Sequence, residues 1–116
     1  MAKLERTISH VDFNGLIYRI EQGILNGSAT AELEDSSDYE NGDTRVAVRV
    51  FERYSAIGSN RVSLNVTLVQ SGGVFSPIFV SGITAGGSQA MVFKINTIGE
   101  ETFLDKLREI LDEYGR

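Results

Sequence analysis

The sequence predicts an α+β fold in which one curved antiparallel sheet carries its helices on a single face. Apolar residues recur at helical spacing near both ends of the chain and alternate with polar residues between positions 28 and 95, where Gly and Asn-Gly turn signals separate the runs. Such alternation is typical of an antiparallel sheet that buries one face. We predict a single domain, residues 1–116, in the order β-α-β-β-β-β-β-α, with the C-terminal helix across the concave apolar face.

The first elements are a strand and a helix. Residues 3–8 alternate with a period of two, which predicts a short strand. Ser9 and Asp12 have the spacing of a helix N-cap with an acidic third residue, which places His10 in the first helical turn, facing solvent. Asn26-Gly27 is a C-terminal signal. The apolar residues between these signals are Phe13, Leu16, Ile17, Ile20 and Ile24.

A hairpin follows, with its turn predicted at Asn41-Gly42. This dipeptide favours a type I′ turn. The resulting register places Val46, Val48 and Val50 on the apolar face, and we expect a bulge near Ser36-Ser37. The predicted pairs are Glu34 with Arg49, Asp38 with Arg45 and Leu33 with Val50.

Three further strands complete the predicted sheet. The next strand carries Val62, Leu64, Val66 and Leu68 on one face, and a Gly58-Ser59-Asn60 loop keeps that face continuous with the valines before it. Strands over 77–85 and 89–95 then flank a Gly86-Gly87 turn, which puts Gly82 opposite Met91 and Val80 opposite Phe93. Gly82 is the one glycine of this hairpin inside a strand, where it either bends the sheet for close packing or leaves room for a ligand.

The last element is a helix with a long apolar stripe. Thr97 and Glu100 fit a capping box at its start. The stripe consists of Phe103, Leu104, Leu107, Ile110, Leu111 and Tyr114. Its spacing predicts that this helix covers the sheet.

Composition excludes several classes of function. The chain has no cysteine, one histidine and a net charge of −5, so we predict neither a metal site nor nucleic-acid binding. No apolar run is long enough to span a membrane and no signal peptide begins the chain, so we expect a soluble, cytoplasmic protein. The glycines at 82–88 lack the lysine of a phosphate loop and lead into a predicted strand, and no cofactor is predicted.

The order of elements resembles the helix-grip architecture of START and Bet v 1-like proteins and the TBP-like arrangement. Those families commonly hold a hydrophobic small molecule between sheet and helix, and the resemblance implies such a ligand here. The stretch SGITAGGSQAMVFKINTIGEETFLDKLREIL, residues 81–111, also resembles a family of small uncharacterised bacterial proteins, which implies no activity.

Two classes of function stay open. The leading hypothesis is a non-enzymatic binding or interaction module that holds a hydrophobic small molecule or pairs with a second copy through a sheet edge. The alternative is a small enzyme that uses Glu52 with Tyr54, because the predicted register puts this carboxyl opposite Val66 on the apolar face. Arg45, Arg49 and Arg53 share one strand face and could bind an anion. The residues predicted to line the ligand space are Gly82, Met91, Phe93, Phe103 and Leu107.

Overall fold

A computed structural model describes residues 1–54, 61–86 and 93–114, with residues 93–102 described by their backbone alone. The elements are β1 (Ala2–Ile8), α1 (Phe13–Asn26), β2 (Glu32–Asn41), β3 (Thr44–Tyr54), β4 (Arg61–Ser71), β5 (Ile78–Gly86) and α2 (Phe93–Tyr114). The strands form one antiparallel sheet in the order β1-β5-β4-β3-β2. The predicted α+β class, with a single antiparallel sheet and a C-terminal helix, is confirmed.

The core lies between the two helices and one face of the sheet, which we call the helix face. It carries Phe51, Leu64 and Gly82, whereas the opposite outer face carries Val48, Thr67 and Ser81. Apolar side chains at helical spacing in α1 and α2 join alternate side chains of β4, because periods of 3.6 and two each gather apolar residues on one side. The buried members include Leu16, Ile20 and Ile24 of α1, Val62, Leu64, Val66 and Leu68 of β4, and Phe103, Leu104, Leu107 and Leu111 of α2.

Helix α1 begins one residue after Asp12, not after the predicted cap Ser9. The Asp12 carboxylate accepts a hydrogen bond of 2.8 Å from the Gly15 backbone N–H, and Gly27 closes the other end as predicted. His10 therefore lies in the β1–α1 loop, with a φ of 61°, and not in the first helical turn. Asp12 caps the helix in place of Ser9 because it directly precedes the first apolar residue of the periodic run.

The β2–β3 turn contains Gly42-Asp43 and not Asn41-Gly42. Asn41 pairs with Thr44, and Gly42 has a φ of 60°, as a type II′ turn with glycine at its first central position requires. This shift corrects the predicted cross-strand partners. The observed pairs are Glu40 with Arg45, Asp38 with Ala47, Ser36 with Arg49 and Asp35 with Val50, and a bulge is present between Leu33 and Asp35, earlier than expected.

Strand β3 turns the opposite face toward the helices from the one predicted. Ala47 and Phe51 are buried on the helix face, and Val46, Val48 and Val50 lie on the outer face. Phe51 pairs with Leu64, because the observed β3–β4 register differs from the predicted one by an odd number of residues. The predicted 58–60 connection lies outside the described residues.

The predicted last strand, over 89–95, is wrong at residues 93–95. These residues form the start of α2, so Thr97 lies inside the helix and does not cap it, while residues 89–92 are outside the described ranges. The physical reason lies in β5, both sides of which are already paired. Val80, expected opposite Phe93, lies between Arg6 of β1 and Leu68 of β4.

Candidate binding groove

The space predicted for a ligand at Gly82 is filled by a side chain of α2. A Cβ atom added at Gly82 would overlap Leu107 Cδ2 and lie 3.3 Å from Leu104 Cδ1. Leu107 and Phe103 are both buried in the core. Glycine at this position thus allows the helix to approach the sheet closely, which was the packing alternative.

Of the remaining predicted ligand residues, Phe93 begins α2 and Met91 lies outside the described residues. The structure therefore packs Leu107 against Gly82, and Phe103 belongs to the same buried core. We place the candidate site elsewhere, because Leu107 Cδ2 occupies the space next to Gly82 that was predicted to hold a ligand.

Glu52 and Tyr54 both lie on the outer face, not on the apolar face where the predicted register placed them. Glu52 pairs with Ser63 instead of Val66, because the β3–β4 register differs from the predicted one by an odd number of residues. Its Oε1 accepts a hydrogen bond of 2.8 Å from Arg61 Nη2. The Arg61 guanidinium also lies over the Tyr54 ring, 5.3 Å from its centroid.

These three residues line a cavity of about 280 Å³ together with Ala29, Thr30, Glu32 and Arg53. Glu34 approaches the same Arg61 Nη2 atom at 3.5 Å. Two carboxylates thus share one guanidinium at the rim, which is the arrangement of a partly exposed ion-pair cluster. The geometry explains the presence of Glu52 without assigning it a proton-transfer role.

The predicted arginine stripe does share one face of β3, but that face is the one under the helices. Arg49 Nε donates to Glu21 Oε2 of α1 at 2.7 Å, and Arg49 Nη1 lies 3.1 Å from Asp38 Oδ1 of β2. Burial by itself lowers the pKa of Arg49, but the hydrogen bonds and charges of Glu21 and Asp38 outweigh it and raise the pKa. Arg49 is thereby a structural cation at ordinary pH.

The other two arginines pack against aromatic rings. Arg45 lies 4.3 Å from the Phe13 ring centroid and donates to Asn14 Oδ1 at 2.9 Å. Arg53 lies 4.5 Å from the Phe103 ring centroid, and burial lowers its pKa. These contacts are cation–π interactions that attach β3 to both helices.

A groove that sequence reasoning missed lies between the β1–α1 and β4–β5 loops. It has a volume of about 540 Å³ and is lined by His10, Val11, Asp12, Val74, Phe75 and Ser76. Phe75 is 98% exposed, the most exposed large apolar side chain of the described residues. Isolated exposed apolar residues are common, but a phenylalanine and a valine beside a groove form a local apolar surface.

The loop that presents Phe75 is held by a buried amide. Gln70, only 2% exposed, donates from Nε2 to the Ser76 carbonyl at 2.8 Å and to the Val74 carbonyl at 3.4 Å. Gly72 and Gly73 have φ values of 106° and 98° and donate their backbone N–H groups to the Asp43 carbonyl. Because these bonds restrict the backbone on both sides of Phe75, the loop presents this residue at a defined place on the surface.

The facing wall supplies polar groups. His10 adopts a φ of 61°, a left-handed conformation that is uncommon outside glycine and is enriched for histidine, asparagine and aspartate. The groove thus combines apolar walls with an imidazole, a carboxylate and a hydroxyl, a combination typical of small-molecule sites. The sequence signal was the Gly72-Gly73-Val74-Phe75 run, in which two apolar residues stand between turn residues.

Fold and groove together define a two-layer α+β protein with an exposed groove, built by two loops, at one end of its sheet. The chain belongs to DUF6054, a family of unknown function, whose model matches residues 1–115. The resemblance to a family without established activity is thereby confirmed. Neither the curated proteins nor the solved structures yielded a match, and the likeness to helix-grip and TBP-like folds stays a prediction. Among the described residues, neither helix is long and apolar enough to cross a membrane.

Proposed function

We propose that this protein is a non-enzymatic binding module whose site is the groove between the β1–α1 and β4–β5 loops. The observation that carries the proposal is the 98% exposure of Phe75 on a loop fixed by Gln70. A large apolar side chain gains about 1.5–3 kcal/mol when it is fully removed from water. Preorganisation of the loop reduces the entropy lost when a ligand covers it.

The chemistry of the walls favours a small hydrophobic molecule with a hydrogen-bonding head group. Val11, Val74 and Phe75 offer apolar surface for its body. The His10 imidazole and the Ser76 hydroxyl can each donate or accept a hydrogen bond to its head. A volume of about 540 Å³ lies within the usual range for small-molecule sites.

The test uses anilinonaphthalene sulfonate, a fluorescent probe with an apolar body and a polar head. We expect it to bind the natural protein with amide chemical-shift changes concentrated at residues 10–12 and 74–76. Phe75→Ala should weaken this binding by about tenfold, which corresponds to losing part of the burial energy of one phenyl group. The free energy of unfolding should stay unchanged, because Phe75 contributes almost no buried surface to the fold.

Phe79→Ala is the matched control, since Phe79 is also exposed but lies on the outer face. It should leave probe binding as it is. Equal weakening by the two substitutions, or shifts that avoid the groove amides, would contradict the proposal.

The enzymatic alternative at Glu52 has less geometric support. Its carboxylate is bonded to Arg61, and the two opposite charges balance each other within the cavity. An acid–base role would require this ion pair to open in the reaction.

A further inference from the structure

The two edges of the described sheet differ in their protection against pairing. Strand β2 is exposed along its whole length, is interrupted by a bulge and carries Glu32, Glu34, Asp35, Asp38 and Glu40. Charges and bulges are the usual means by which sheet edges avoid other strands. Strand β1 has neither a bulge nor a proline, and all of its residues pair in unbroken register with β5.

The charges on the β1 edge are self-complementary. Lys3 and Glu5 lie on the outer face with side chains 61% and 49% exposed, and Lys3 Nζ is 4.0 Å from Glu5 Oε2. Between them, Leu4 points to the helix face, where it is only partly buried against the core. The third charge of the strand, Arg6, is neutralised by an ion pair with Asp112 of α2.

The geometry points to a second copy of this chain as the partner of β1. We infer that two β1 strands pair antiparallel about a two-fold axis at Leu4, which joins the two sheets into one. Leu4 then lies opposite the partner's Leu4 and adds to the apolar layer under the helices. On the outer face, Lys3 lies opposite the partner's Glu5, and Glu5 opposite the partner's Lys3.

The charge pattern selects this register over its neighbours. Directly opposite residues of an antiparallel pair share a face, so the axis must pass through a residue. An axis at Lys3 would set two lysines against each other, and an axis at Glu5 would do the same with two glutamates. Like charges directly opposite are destabilising, whereas the axis at Leu4 forms two opposite-charge pairs.

The same reasoning excludes β2 as the pairing edge. Two copies of β2 would bring two acidic strands together, with five carboxylates on each. An isologous β1 contact also closes on itself, because each copy uses the one edge that the other copy covers. The expected assembly is therefore a dimer and not a fibre. The inference is independent of the groove.

Sedimentation velocity of the full chain over a concentration series provides the test, with Lys3→Glu, Glu5→Lys and the double substitution K3E/E5K. The natural protein should dimerise. Each single substitution should weaken dimerisation by about tenfold, because both symmetry-related pairs change from attraction to repulsion. The double substitution restores opposite charges across the axis and should recover dimerisation.

Asp35→Lys on the β2 edge is the matched control and should leave dimerisation unchanged. This control also distinguishes the effect of strand pairing on dimerisation from the effect of net charge. Glu5→Lys and Asp35→Lys each make the net charge of −5 less negative by the same amount. A monomer at every concentration would overturn the inference. So would association that is insensitive to the single substitutions, or a double substitution that fails to recover the dimer. Circular dichroism of each variant checks that these exposed changes preserve the fold.

Discussion

Gly82 has no side chain, and this allows α2 to pack closely against β5. Gly82 pairs with Leu4 of β1 on one side and Val66 of β4 on the other, so it lies in an interior strand of the sheet, beneath α2. The space where its Cβ would stand contains Leu107 Cδ2. Protein interiors are close-packed, so a change of one methyl group at such a contact has an energetic effect.

We expect Gly82→Ala to lower the free energy of unfolding by about 1–3 kcal/mol, the usual cost of overpacking. The reason is the overlap of the added methyl group with Leu107. Urea denaturation measures the change. Ser81→Ala, the adjacent residue on the outer face, is the control and should have little effect.

A double-substitution cycle ties this cost to a single contact. In a Leu107→Ala background, the methyl group at position 82 enters the vacated space, so Gly82→Ala should become neutral or stabilising. An equal cost in both backgrounds would show that Leu104 or the backbone at position 82, and not Leu107, rejects alanine.

Arg49 shows how a charged residue is accommodated on the buried face of β3. A guanidinium side chain on the helix face is costly unless its charge is compensated, and Glu21 and Asp38 supply that compensation from α1 and β2. Because these partners raise the pKa of Arg49 above its ordinary value, its contribution to stability is present in full below that ordinary value. This contribution of Arg49 is lost as the pH rises through the higher pKa of the folded state.

At the scale of an element, β3 carries two alternative apolar faces. One contains Val46, Val48 and Val50, and the other contains Ala47 and Phe51 between arginines. The structure buries the face with Ala47 and Phe51. Phe51 pairs with Leu64, and the arginines of this face form hydrogen bonds and cation–π contacts with α1 and α2.

Alanine substitutions in β3 distinguish the two faces. Phe51→Ala should lower the free energy of unfolding by about 3–5 kcal/mol, since it removes a fully buried ring. Val50→Ala, one residue earlier and on the outer face, should cost about 1 kcal/mol or less. Guanidinium chloride denaturation measures both. The opposite ranking would indicate that the valine face is the one covered by helices.

For the molecule as a whole, the groove and the β1 edge are separate surfaces. The groove lies beyond the Ile8 end of β1, at the β1–α1 and β4–β5 loops, whereas the proposed dimer axis passes through Leu4. No residue of the groove lining takes part in the proposed pairing.

We therefore expect the proposed ligand binding and the proposed dimerisation to be independent of each other. Phe75→Ala should leave the sedimentation coefficient of the natural protein unchanged, and Lys3→Glu should leave the affinity for anilinonaphthalene sulfonate unchanged. Distant sites without shared partners are usually independent within about 0.5 kcal/mol. Loss of dimerisation in Phe75→Ala would instead place the groove at the interface between copies.

Local sequence pattern was sufficient to predict most of the regular segments and the class of fold that they build. Helical spacing identified the buried residues of α1 and of the second half of α2, and alternation identified β1, β4 and β5, because these periods follow from local backbone geometry. For Gly82, its position within a strand predicted either close packing or space for a ligand, and the structure shows close packing. The exposed Phe75 groove was not predicted, since its walls come from loops distant in sequence.

The register and faces of β3, the position of Glu52 and the start of α2 follow from tertiary contacts. Each of these features depends on partners that are distant in sequence. Glu21 and Asp38 compensate the charge of Arg49 on the buried face of β3, and β1 pairs with the side of β5 where another strand was expected. Two faces of β3 satisfy the same alternation, and a shift of one residue exchanges them. Long-range packing and charge compensation select between faces that are equally periodic.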